Sequence, residues 1–106
     1  MSEVVIVCNM GVFTPDQREK HIELARDLFG QVVKVASVQN GFAFDLPNET
    51  DLLNRVGGFI ANERRCCPFL RFDLEVRGQT QPITLTLSGP EGTQEFLKEE
   101  FQEAFE

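Results

Sequence analysis

The sequence predicts an α+β domain: an antiparallel sheet with helices on one face, in the order β-α-β-β-α-β-β-α. Three observations carry that prediction. Leu70, Phe72, Leu74 and Val76 alternate with Arg71, Asp73, Glu75 and Arg77, and Ile83, Leu85 and Leu87 alternate with Thr84, Thr86 and Ser88. Strict alternation puts one face of each strand in the core and the other in water. Asn40-Gly41 stands between two apolar runs, and both positions of a tight hairpin turn favour residues that accept positive φ. Two longer stretches carry apolar residues at helical spacing.

Residues 3–9 read as a strand, with the β-branched run Val4, Val5, Ile6 and Val7 apolar on both faces, and Cys8 near its end on the face of Val4 and Ile6. Residues 10–13 connect. Thr14-Pro15-Asp16-Gln17 starts a helix, with Thr14 as cap, Pro15 in the first helical position and Gln17 closing a capping box. That helix runs to about Phe29, where Gly30 stops it, and buries Ile22, Ala25, Leu28 and Phe29. Residues 32–38 and 42–46 form a hairpin about Asn40-Gly41, and Pro47 ends it.

A second helix is capped by Asn48 or Thr50 and turns Leu52, Leu53, Val56, Phe59 and Ile60 inward. Gly57-Gly58 lies within it, and predicts close backbone approach or a kink. Extending the stripe brings Glu63, Cys66 and Cys67 to the inner side of the last turn, with Arg64 and Arg65 mainly outward. Pro68 ends the helix. Residues 69–77 and 83–88 are the alternating strands, joined by a turn over 78–82. Ser88-Gly89-Pro90 opens a last helix with Phe96, Leu97, Phe101, Ala104 and Phe105 inward. The first six elements fit the ferredoxin-like split βαβ pattern, with the last strand and helix added.

At 106 residues the chain makes one domain, residues 1–106, large enough for a core without staples. No apolar run approaches the ~18 residues that span a bilayer. The start Met1-Ser2-Glu3 leads directly into the apolar run without a basic region, so a cytoplasmic location is expected. The net charge of −7 argues against a phosphate backbone as partner, since no basic cluster exceeds Arg64-Arg65. Ten phenylalanines with no tryptophan or tyrosine give a core with few polar handles. Polar groups that face it are therefore conspicuous.

The most concentrated chemistry is Glu63-Arg64-Arg65-Cys66-Cys67-Pro68-Phe69. Three cysteines cannot all pair within one chain, and in a reducing compartment they are expected as thiols, metal ligands or redox groups. In the split βαβ arrangement the strand over 69–77 pairs with the first strand, bringing Cys8 beside Cys66 and Cys67. Thiolates there would select zinc, copper(I) or another thiophilic metal, with Glu63 as a fourth donor. The competing reading packs the cysteines as small core hydrophobes. A redox pair is weaker chemistry, since there is no Cys-x-x-Cys and a helix C-terminus opposes a thiolate. Of the disulfides, Cys8 to Cys66 or Cys67 is easier than the eight-membered ring of adjacent cysteines. An inward Glu63 needs a partner, either Arg71 or loop amides near residues 10–14. His21 is expected at the surface, away from the sheet end.

Glu63 to Phe69, followed by Leu70-Arg71-Phe72 and by Leu87-Ser88-Gly89-Pro90-Glu91-Gly92, resembles a group of small uncharacterised bacterial proteins with an E-R-x-C-C-P-F signature. Some of these look like neighbours of metal-resistance genes. The resemblance covers most of the chain and implies no established activity, but it adds weight to Cys66 and Cys67 as ligands. The expected function is a small cytoplasmic protein that binds or senses a thiophilic metal through Cys8, Cys66, Cys67 and Glu63. The alternative is an interaction or assembly domain with structural cysteines, for which a homodimer is one expected assembly. No nucleophile–base pairing in the sequence supports an enzyme.

Overall fold

The computed structural model describes residues 5–106. Among these residues the class is α+β, with three α-helices and a four-stranded antiparallel sheet. Helix α1 spans Pro15–Gly30, strands β1 and β2 span Lys34–Val38 and Gly41–Leu46, and helix α2 spans Thr50–Cys66. Strands β3 (Arg71–Glu75) and β4 (Ile83–Ser88) follow, and helix α3 (Thr93–Glu100) closes into a short 3-10 turn over Gln102–Phe105.

Local chemistry sets these limits. Thr14 caps α1 through the Gln17 amide, and the Gln17 side chain accepts from the Thr14 amide, as the capping box requires. Asn40 takes a positive φ of 54° in the hairpin turn. Gly41 permits close approach of β2 to β4, since a Cβ there would strike the Leu87 carbonyl oxygen. Neither Asn48 nor Thr50 caps α2: its N-cap is Glu49, and the Asn48 amide instead donates to the Gly78 and Gln81 carbonyls across the next turn. Gly57 and Gly58 face open space, so the expected close approach at this pair is absent.

The sheet order is β1-β2-β4-β3. Glu3 and Val4 of the expected first strand lie outside the described residues, and residues 5–9 belong to no strand. The pairing of that stretch with β3, on which the ferredoxin-like arrangement depended, is therefore not what places Cys8. β4 occupies the position beside β2 and pairs with β3 on its other side. The side chains explain this choice. Ile83, Leu85 and Leu87 are fully buried, which suits an inner strand, whereas β3 carries Arg71, Asp73 and Glu75 on an exposed face, which suits an edge. Val5 and Val7 remain well exposed.

One face of the sheet presents Phe42, Phe44, Leu46, Leu85 and Leu87 to the helices. Above them Phe29, Phe59 and Phe101 form a cluster, with Phe29 stacked on Phe101 at 4.0 Å and edge-on to Phe59 at 5.4 Å. An Arg55–Asp27 ion pair links α2 to α1 at the surface. This phenylalanine floor carries the inner ends of α1 and α2, where the polar groups gather.

Candidate functional site

The last turn of α2 builds most of the site. Glu63, Cys66 and Cys67 stand at i, i+3 and i+4, so one helix face presents all three. The Cys66 Sγ lies 3.5 Å from Glu63 Oε1 and the Cys67 Sγ 3.5 Å from Glu63 Oε2, with the two sulfurs 3.6 Å apart. Pro68 ends the helix, and the Cys67 amide still closes the final turn onto the Glu63 carbonyl at 2.8 Å.

Cys8 arrives from the N-terminal stretch, which crosses the end of α2. The Asn9 amide donates to the Cys66 carbonyl at 2.7 Å, satisfying one of the orphan acceptors of a helix end. The Asn9 side chain then accepts from the Gly11 amide at 3.0 Å and starts the 3-10 turn Met10–Val12. Cys8 and Cys67 form a disulfide with their Cα atoms 4.5 Å apart, and Cys66 is the remaining thiol. The expected convergence of the three cysteines is thus present, reached through a loop that docks on a helix end.

His21 corrects its sequence expectation. It is 4% exposed, and its Nε2 is 2.8 Å from Glu63 Oε1, which is itself 2% exposed as a residue. The imidazole stacks on Phe59 at 5.5 Å and lies 5.2 Å from Phe13. Its Nδ1 has no hydrogen-bond partner among the described residues. The partners expected for Glu63 do not serve: Arg71 bonds Asp73 on the exposed edge strand, and the loop amides of Gly11, Val12, Phe13 and Thr14 donate to Asn9, Met10 and Gln17 instead. In the sequence His21 stands at the edge of the buried stripe, a position that fits either side. It lies three, four and seven residues before Leu24, Ala25 and Leu28, on the same helical stripe.

Glu100, one of the acids of the last helix, was not singled out by its sequence. A pocket of about 230 Å³ beside the pair is lined by Met10, His21, Glu63, Glu100 and Phe101, among others. Glu100 is exposed as a residue, but partial desolvation of its carboxyl beside the pocket holds it above its ordinary range, the Glu63 carboxyl adds to that, and His21 opposes it.

Burial first, and then the charge and hydrogen bond of the neighbouring Glu63 carboxyl, together push the Cys66 thiol up to about 12. The linkage sign follows. Below about 9 the thiol is protonated whether folded or unfolded; between about 9 and 12 the unfolded chain releases a proton that the folded chain retains. Stability should therefore fall as pH rises through that window, and the fall should be smaller in Cys66→Ala. Thermal melts from pH 8 to 11 check this, and equal slopes for parent and variant would refute it.

The ligand atoms of Cys8, Glu63, Cys66 and Cys67 all lie within 4.8 Å of one another, a group that can hold a metal ion. Two thiolates bound tetrahedrally to one zinc ion at ~2.3 Å each would stand ~3.8 Å apart, and the Cys66–Cys67 sulfur spacing of 3.6 Å is close to that. A sulfur in a disulfide is a poor ligand, so this chemistry requires the dithiol form of Cys8 and Cys67. Among the described residues no helix is long and apolar enough to cross a membrane. No protein-family model matches the chain, and neither a curated protein nor a solved structure does.

Proposed function

We propose that the reduced chain binds or senses a thiophilic metal ion through Cys8, Cys66 and Cys67, with Glu63 as the oxygen donor. The observation that carries this reading is the convergence of three sulfurs and one carboxylate from two distant parts of the chain within 4.8 Å. Soft thiolates favour zinc and copper(I) over magnesium or calcium. His21 fits the second tier of such a site, because a ligating carboxylate is ordinarily fixed by a further hydrogen bond. A cytoplasmic setting belongs to the same proposal. In a reducing compartment the Cys8–Cys67 bond is a transient state and the thiols are the resting one. The resemblance to small bacterial proteins, some of which look like neighbours of metal-resistance genes, points the same way.

Elemental analysis and metal titration of the reduced protein, against a Cys66→Ser/Cys67→Ser variant, test the proposal. The parent is expected to retain about one equivalent of zinc or copper(I), and the variant to lose it. If the variant binds zinc, copper(I) and mercury as well as the parent does, the metal reading is dead.

A second reading is favoured by the burial of Cys66 and Cys67, at 1% and 0% exposure, and by the disulfide itself. Here the cysteines fasten the N-terminal stretch to the core of an interaction domain, and the exposed Val5 and Val7 are available to a partner. Reduced parent that holds no metal, yet loses stability when Cys8 is replaced, would support this alternative.

A further inference from the structure

The three sulfurs differ in access. Cys8 is half-buried, whereas Cys67 is 0% exposed and Cys66 is 1% exposed. Around Cys67, the Glu63 carboxyl and the Cys66 sulfur occupy the space at 3.5 and 3.6 Å. Thiol–disulfide exchange proceeds by attack of a thiolate on one sulfur in line with the bond that breaks, and access decides which sulfur is attacked. An approach to Cys67 would have to come from within the core, while an approach to Cys8 comes along the docked N-terminal stretch, where Val7 and Asn9 on either side are exposed.

We infer that Cys8 is a thiol-exchange site, at which a small monothiol of the glutathione type forms a mixed disulfide and releases Cys67 into the buried cluster. In the first step the monothiol gives its proton to water and its thiolate attacks Cys8 Sγ. The Cys8–Cys67 bond breaks, its electron pair leaves on Cys67 Sγ, and a new bond joins Cys8 to the small thiol. Cys67 takes a proton from water, or remains a thiolate where a metal ion receives it. In the second step another thiolate attacks the small thiol's sulfur in that mixed disulfide. It releases Cys8 as a thiolate and leaves as half of a small disulfide. In sum two small thiols are oxidised to one disulfide, and the protein disulfide gains the two electrons as two thiols.

The inference goes beyond the metal reading and does not require it. It assigns the event that frees Cys67 from its disulfide, and it makes the modified chain a distinct state: Cys8 capped, with Cys66 and Cys67 left as an adjacent buried pair beside Glu63. The buried position of that pair has a further consequence. The attacking monothiol cannot reach the Cys67 sulfur of the disulfide, so the mixed disulfide should collect on Cys8 only.

The disulfide form of the full chain is treated with graded reduced glutathione, quenched in acid, alkylated after unfolding, and mapped by peptide mass spectrometry. The glutathione adduct is expected on Cys8 at least tenfold over Cys67, with Cys67 and Cys66 recovered alkylated. Adduct mainly on Cys67 or Cys66, or complete reduction with no Cys8 adduct at any glutathione concentration, would overturn the inference. So would a chain that keeps three alkylatable thiols after exposure to oxidised glutathione. A Cys66→Ala variant should give the same Cys8 adduct at a rate within about twofold; loss of the adduct there would mean that Cys66 relays the exchange, which also overturns it. Metal retention is read separately. A Cys8 adduct without metal binding defeats only the metal reading, and metal binding with the adduct on Cys67 defeats only this one.

Discussion

Replacing Phe59 with alanine is expected to destabilise the reduced protein by about 4 kcal/mol, within the range for large-to-small core changes of a phenylalanine. Phe59 is fully buried and meets three rings: it stacks on His21 at 5.5 Å and stands edge-on to Phe29 at 5.4 Å and to Phe101 at 5.8 Å. Those rings come from α1 and the end of α3 while Phe59 itself stands on α2, so the cavity would open where three helices meet. Such a loss is a large share of the roughly 5–15 kcal/mol that holds an ordinary domain together. It should also reach the site, because Phe59 lies one helical turn before Glu63 and supports the imidazole that bonds it. Urea unfolding of parent and Phe59→Ala, both reduced, gives the difference. A loss below about 1.5 kcal/mol would show that the surrounding rings collapse into the space, and that the phenylalanine cluster is not the floor of the site.

Much of this arrangement was legible in the sequence, and the reasons differ by residue. The alternation of β3 and β4 and the Asn40-Gly41 turn are local signals, and local signals fixed both hairpins. The order of strands is not local. It depends on which strand's inner residues are bulkiest and which strand's outer residues are charged, a comparison between Ile83, Leu85 and Leu87 on one side and Arg71, Asp73 and Glu75 on the other. The run Val4-Val5-Ile6-Val7 resembles a central strand by propensity alone, but from residue 5 onward the chain makes no ladder and instead docks by the Asn9 amide onto the end of α2. Cys8 met Cys67 even so, since a helix end with unsatisfied carbonyls is as good an anchor as a neighbouring strand.

The polar half of the site was less legible. Glu63 was visible as an anomaly because it continues an apolar stripe. Its partner was not, because a histidine at a stripe's edge is compatible with either water or the core. What decides is the packing of α1 on α2, which sets His21 opposite the inward position of α2 that carries a carboxylate, Glu63. Spacing along one chain segment contains no information on that register. Glu100 is a stronger case: it belongs to an acidic run that reads as a solvated face, and only the approach of α3's end to Glu63 and His21 gives it a pocket to line.

The imidazole–carboxyl contact leads to the second large effect. His21→Ala is expected to cost about 3 kcal/mol, because it leaves a buried carboxyl group without its strongest hydrogen bond. Glu63 is 2% exposed, and the remaining neighbours of its oxygens are two sulfurs at 3.5 Å, which are weak donors. The change also removes a ring that packs between Phe13 and Phe59, so a single variant mixes a packing loss with a polar one. A double-mutant cycle separates them. His21→Phe keeps an aromatic ring and strands Glu63; Glu63→Leu removes the carboxyl and leaves His21 without its bond. Each single change should destabilise by more than about 2 kcal/mol, while His21→Phe/Glu63→Leu should recover to within about 1 kcal/mol of the parent, as replacement of a whole buried polar pair by apolar groups commonly does. Urea unfolding of the four proteins in reductant measures the coupling. If the double variant is as unstable as the sum of the singles, the two residues act independently, and the polar bond between them is not what holds Glu63 against the thiols. Recovery of stability with loss of metal retention would instead mark the carboxyl as kept for its donor oxygen, at the expense of a core that leucine fills better.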